Sequence, residues 1–188
     1  MDNHLRVRCR RLHRLGGDLF EYKICPPLGG GMEEIMKELI VKTPAFTHEG
    51  LIPIEYTGYG ADISPELNLQ NLAENTKSIS VIMDDLGHPI PAYNHWIIWN
   101  IPFTETIPAE IPHGKIVESL SGAIQGRGYG KHRYRGPKPP FNWSHRYQFT
   151  IYTLDCILDL PANSKKRELL RAMDKHILQQ AALVGHYR

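Results

Sequence analysis

Long apolar runs are missing from this 188-residue chain: none approaches the roughly 18 residues a membrane-spanning helix needs, so no span is expected. Cysteine is scarce. Cys9, Cys25 and Cys156 follow no metal or redox spacing, and an odd count argues against a full disulfide framework. Cys156 sits at the end of a strand pattern and reads as a buried thiol. Familiar catalytic signatures are also missing. Gly126-Arg127-Gly128-Tyr129-Gly130 is rich in glycine, but no Gly-Lys-Ser/Thr follows it and no helix pattern begins there. Neither a Gly-x-Ser-x-Gly elbow nor a His-Glu-x-x-His pair occurs. The N-terminus carries positive charge without an apolar stretch behind it, unlike a secretory signal, and the default expectation is a cytoplasmic protein.

Charge of one sign is missing too. The formal net charge is +2, and it is uneven. Residues 1–32 hold five Arg and one Lys against two Asp and one Glu, a balance of +3, which leaves the remainder near −1. The body therefore lacks the basic field that nucleic-acid binding usually needs. Residues 1–35 read as a basic arm and a Gly/Pro linker, and residues 36–188 as one domain. A nucleic-acid role would rest on the arm alone, and its affinity would fall steeply with salt.

The body is organised around Ser78 to Pro102, which reads as strand, polar loop, strand. Side chains alternate along a strand. Ile79, Val81 and Met83 share a face that continues into Asp85. Ile97, Trp99 and Ile101 share one that runs back into His95. A second Gly/Pro-rich loop, Gly122 to Pro140, leads towards a strand on which His145, Tyr147, Phe149 and Ile151 share a face. Polar ends of strands in one sheet can form one shallow pocket lined by Asp85, His95, His145 and Tyr147. Two imidazoles and a carboxylate could also ligate a metal. Lys131, His132, Arg133 and Arg135 form a basic cluster beside the second loop, either a solvated face or an electrostatic funnel. Ser164 to Leu183 has helical spacing at Leu169, Leu170, Met173, Ile177 and Ala181, with Gly185 placed as a C-cap, and predicts one long helix packed on the sheet.

Two motifs carry a family resemblance. Asp85-Leu86-Gly87-His88-Pro89, followed by His95-Trp96 and Asn100-Ile101-Pro102, is similar to a family pattern Asp-Pro-Asp-Ala-Pro followed by a strand beginning His-Trp. Tyr134-Arg135-Gly136-Pro137-Lys138-Pro139-Pro140, followed by His145-Arg146-Tyr147, is similar to Tyr-x-Gly-Pro-x-Pro-Pro followed by His-Arg-Tyr. With smaller echoes at Pro44-Ala45-Phe46, Ser64-Pro65-Glu66-Leu67 and Leu183-Val184-Gly185-His186-Tyr187, the chain resembles the phosphatidylethanolamine-binding protein family, also called Raf kinase inhibitor-like, in its bacterial and archaeal branch.

The resemblance implies a mainly β fold of packed antiparallel sheets with a C-terminal helix. It implies a non-enzymatic pocket for a small phosphorylated or anionic ligand, with no cofactor and no required metal. Its binding residues would be Asp85, Pro89, His95, Gly136, Pro137, His145, Tyr147 and, from the helix end, Tyr187. A kinase, a protease or a second copy of the chain are the protein partners of this reading. Asp85 would orient a histidine rather than touch an anion, because like charges repel. The rival is a hydrolase using His95 or His145 as general base. Leu86, Gly87 and His88 depart from the family pattern: the second acid is gone, which removes negative charge at the pocket mouth and is expected to loosen the loop.

Because the motifs all follow Met36, deleting residues 1–32 is predicted to leave the melting temperature nearly unchanged. A loss of several degrees in a thermal melt would show that the arm packs on the domain.

Overall fold

The computed structural model describes residues 37–140 and 143–188. The expected basic arm and linker lie outside the described residues. Ten strands and one α-helix follow in order: β1 (Ile40–Lys42), β2 (Gly50–Leu51), β3 (Leu67–Gln70), β4 (Ser78–Asp85), β5 (Tyr93–Ile101), β6 (Thr106–Ile107), β7 (Ile116–Val117), β8 (Ala123–Gln125), β9 (His145–Leu154), α1 (Lys166–Met173) and β10 (Ile177–Tyr187). They form a three-stranded sheet, β1-β3-β6, and a seven-stranded sheet, β2-β10-β9-β4-β5-β8-β7. Every pairing is antiparallel except β10 with β2. Among the described residues no helix is long and apolar enough to cross a membrane.

Two cores explain the layers. The first lies between the sheets: Val41, Leu67, Leu69 and Ile107 of the small sheet meet Ile79, Val81, Met83, Ile98, Phe149 and Ile151 of the large one. The second covers the other face of the large sheet, where Ile82, Ile97, Trp99 and Leu154 meet Leu158, Leu169 and Met173. Strands buried on both faces read as near-continuous apolar runs, and β4 is buried along its whole length.

Simple alternation fails on β5, and the failure matters. The β4–β5 register slips by one residue twice, between Ile79 and Val81 and between Met83 and Asp84. The extra residue in the second slip is His95, between Asn94 and Trp96. The first lies near Asn100, whose φ of 58° is left-handed and whose amide both donates to and accepts from the Leu158 backbone, 2.9 Å each way. A bulge re-aims the side chain of the residue it inserts. Ile97 and Trp99 therefore face the helix, while Ile98, Ile101 and His95 face the other way. The expected single face of His95, Ile97, Trp99 and Ile101 is corrected on this point.

The long helix expected over Ser164–Leu183 is also corrected. The helix is eight residues long, ends at Met173, and is followed by an eleven-residue strand. Lys175 has φ of 68° and turns the chain back. β10 then pairs with β9 over nearly the whole length of both strands. Gln, Ala and Leu favour helix locally, but tertiary pairing overrides that preference. Gly185 is a strand residue rather than a cap: a Cβ there would lie 2.6 Å from Ile52 and 2.8 Å from Phe46.

Replacing Lys175 with Gly separates the two readings of this segment. A left-handed turn should gain about 0.5–1 kcal/mol in urea denaturation, because glycine occupies that conformation without strain. A helix running through 175 would instead lose roughly 1 kcal/mol.

Candidate functional site

Strand order builds the site. β4 lies between β9 and β5, so its C-terminal residue Asp85 has one neighbouring strand on each side. β9 begins at His145, and the bulge on β5 turns His95 to the same face. The four polar residues anticipated from the sequence come together: Asp85, His95, His145 and Tyr147 are 2%, 4%, 5% and 0% exposed.

Asp85 is the hub. Its Oδ1 accepts from the Gly87 N–H at 2.8 Å, and its Oδ2 accepts from His145 Nδ1 at 2.8 Å. The same Oδ2 lies 3.9 Å from His95 Nε2. The acid thus orients His145, as like-charge repulsion against an anion suggested. A buried carboxylate is tolerated only when its lone pairs are occupied. Gly87 makes this closure feasible. A Cβ there would lie 2.8–3.0 Å from His145, so a side chain at 87 would push the loop off the ring. Where the family pattern has a second acid, Gly87 closes a turn on Asp85.

His95 is held by its other nitrogen. Nδ1 is 2.8 Å from the Arg135 carbonyl oxygen, which can only accept, so Nδ1 carries the proton. Burial pulls the His95 pKa below its ordinary 6.5, against the raising effects of the Arg135 carbonyl and the Asp85 carboxylate. Tyr147 is an O–H donor at any working pH: burial first, and then the charge and hydrogen bond of Asp85, push its phenol far above the ordinary value. Its ring lies 5.4 Å from His95, edge to face, and 6.2 Å from His145, stacked.

The second loop supplies scaffolding. Asp62 accepts from the Gly136 N–H at 2.7 Å and pairs with Arg135 at 3.2 Å and Arg133 at 3.8 Å. That holds the Arg135 carbonyl against His95, and it commits two charges of the basic cluster to an internal anchor rather than to an open funnel. A Cβ on Gly136 would meet the Tyr56 carbonyl oxygen at 2.2 Å, so only glycine fits. Pro137 is buried and its carbonyl accepts from the Gly58 N–H at 2.9 Å. Of the remaining expected residues, Pro89 is exposed in the β4–β5 loop, and Tyr187 arrives on a strand, paired with His145 and stacked on Tyr59 at 6.1 Å.

Several site residues escaped the sequence reading. Tyr93 and Tyr129 present rings 5.7 and 5.4 Å from His95. Behind Tyr93, His88 is half-buried and stacks on that ring at 4.2 Å. Trp143 stacks beside His145 at 6.4 Å. For Tyr129 the signal was the glycine run itself. Tyr129 and Gly130 donate to the carbonyls of Asn94 and His95, and a Cβ on Gly128 would lie 2.9 Å from the His95 oxygen. The glycines allow close approach to β5, a packing role rather than a phosphate loop.

Comparison with known proteins bears on family and fold. A sequence model of the family described as phosphatidylethanolamine-binding protein matches residues 42–188. A UPF0098 protein of Pyrococcus abyssi is 42% identical over 162 residues, covering 85% of this chain and 89% of its own length. One from Aquifex aeolicus is 33% identical over 178 residues, covering 93% and 98%. A crystal structure of a phosphatidylethanolamine-binding protein homologue from Chlamydia trachomatis superposes with a TM-score of 0.70 at 30% identity, covering 80% of this chain and 97% of that one. Escherichia coli YbcL, at 24% identity and a TM-score of 0.72 over 81% and 99%, shares the fold.

The lowered His95 pKa sets a pH window for stability. The unfolded chain takes up the proton first, near 6.5, so the contribution is full above that pH and is lost as pH falls towards the folded value. Urea denaturation at pH 7.5 and 5.5 should therefore show a larger loss for the wild type than for His95→Asn, whose amide can still donate to the Arg135 carbonyl. Equal losses would mean that burial does not hold the imidazole neutral.

Proposed function

This chain belongs to the phosphatidylethanolamine-binding protein family, and we propose that its pocket is a non-enzymatic binding site for a small phosphorylated or otherwise anionic group. The observation that carries the reading is the pairing of both Nδ1 atoms within the protein, His145 to Asp85 and His95 to the Arg135 carbonyl. Each ring then has only Nε2 left for a ligand. The Tyr147 hydroxyl keeps its proton and is hydrogen-bonded to Asp85, which occupies the carboxylate further.

Charge decides how an anion enters. With His95 neutral, the pocket carries the carboxylate of Asp85 and repels a bare dianion. Nε2 can donate to a ligand oxygen only after it gains a proton. Binding is therefore coupled to proton uptake, either from solvent or with a ligand that arrives protonated. Phosphomonoesters change protonation near pH 6 and remain anionic on both sides of it. Charge-assisted bonds formed in this dry site are the strong kind.

A hydrolase is the weaker reading. Among the described residues, the partners of the two imidazoles are a carboxylate and a backbone carbonyl rather than a hydroxyl or thiol to activate. Ser144 precedes His145 on the chain, and neighbours leave a strand on opposite faces.

Titrating inorganic phosphate and a phosphomonoester while following the imidazole NMR signals tests the assignment. Binding should strengthen from about pH 8 to 6. His95→Ala or His145→Ala should weaken it roughly tenfold or more, the cost of a lost charge-assisted bond, and by more than His88→Ala. Phosphate that shifts neither imidazole, or a His88→Ala variant as weak as His95→Ala, would remove the pocket from the account.

A further inference from the structure

At the other end of β9 lies a cluster the anion pocket does not use. β9 runs from His145 to Leu154, about 30 Å for ten residues. Asp155 and Cys156 follow immediately, and His176 stands just before β10. The ligand atoms of Asp155, Cys156 and His176 all lie within 4.8 Å of one another. Residues twenty apart in sequence meet here because β10 folds back along β9.

The backbone holds the cluster in place. The Asp155 N–H donates to the His176 carbonyl at 3.1 Å, and the His176 N–H donates to the Met173 carbonyl at 2.9 Å. The Ser78 hydroxyl donates to the Cys156 carbonyl at 2.5 Å. On the side chains, His176 Nδ1 lies 2.8 Å from Asp155 Oδ1. Asp155 and His176 are exposed and Cys156 is half-buried, so the group is reachable from solvent. An exposed ion pair of this kind contributes little to stability.

We propose that Asp155, Cys156 and His176 form a binding site for a thiophilic divalent cation of the zinc class, separate from the anion pocket. The donor set selects the metal. A thiolate with an imidazole and one carboxylate suits zinc or cobalt, whereas magnesium and calcium require oxygen ligands. Metal–ligand bonds of 2.0–2.3 Å in a tetrahedron place donors about 3.3–3.8 Å apart. Side chains within 4.8 Å reach that spacing by small rotations at the surface. Three protein ligands leave a fourth position for water or a group from another molecule, the pattern of an open rather than a closed site.

Cobalt(II) is the probe, because thiolate ligation produces a near-ultraviolet charge-transfer band and tetrahedral geometry produces strong visible bands. The titration uses the 188-residue chain with Cys9 and Cys25 changed to Ser, which leaves Cys156 as its one thiol. The expected result is both sets of bands at one equivalent of metal, displaced by zinc. Cys156→Ser should abolish the charge-transfer band. His176→Ala and Asp155→Ala should each weaken binding about tenfold or more, and His95→Ala should leave it unchanged. Thermal melts confirm that each variant is folded, and the exposed His176→Gln serves as a second test of the imidazole. Absence of the charge-transfer band in folded protein, or titrations identical in His176→Ala, His176→Gln and the parent, would overturn the proposal.

Discussion

The hydrogen bond between Asp85 and His145 is the contact on which the pocket depends. A carboxylate with 2% exposure at the end of a central strand would be intolerable if unpaired. It is paired to the Gly87 N–H, to the imidazole and to the Tyr147 hydroxyl. That pairing needs the β9-β4-β5 strand order, which puts the acid in the middle strand and a histidine on each neighbour. It also needs a residue without a Cβ at 87, while the bulge on β5 brings His95 alongside and the Arg135 carbonyl holds that ring. Without the β9 neighbour or the glycine the acid is either stranded or swung into solvent, and His145 loses the contact that leaves its Nε2 for a ligand.

The site is not a cationic trap. Arg133 and Arg135 are spent on Asp62, which itself anchors the Gly136 backbone. Burial keeps His95 from charging while the pocket is empty. On the proposed reading, selectivity would come from coupled protonation and from the aromatic rings of Tyr93, Tyr129 and Tyr147 around His95, rather than from a standing positive field. Helix α1 is tied to the same strands from the other face, through Lys166 to Asp84 at 2.5 Å and Asp84 to Asn94 at 3.0 Å. Successive acids on β4 thus serve opposite faces of one sheet.

Much of this was legible in the sequence. Asp85, His95, His145 and Tyr147 stood out because each is polar where an apolar strand face ends beside a Gly/Pro loop. The two-motif resemblance added Gly136 and Pro137. His95 was placed correctly for a reason that fails: alternation assigned it to the face of Ile97 and Trp99, and only a one-residue bulge brings it to Asp85. Bulges leave little trace in a single sequence. The C-terminal strand was hidden for a different reason. Leu178 to Leu183 has helix-forming residues at helical spacing, and the competing term is pairing with a strand some thirty residues earlier. Asp62 looked like a turn residue because its three partners lie about seventy residues away. Cys156 read as a buried thiol at a strand end; it is half-buried, and His176 is its neighbour only in space.

The central claim is a statement about two protons: both pocket imidazoles carry theirs on Nδ1 in the free protein, so that Nε2 is the atom offered to a ligand. Long-range proton–nitrogen NMR correlation on nitrogen-15 labelled protein reads the tautomer of each ring directly. Above pH 7 without added anion, both rings should carry a proton on Nδ1, and His95, whose burial disfavours the charged form, should leave its Nε2 bare. A bare Nδ1 on either ring would contradict the account, because that nitrogen could not donate to the Arg135 carbonyl or the Asp85 carboxylate as described.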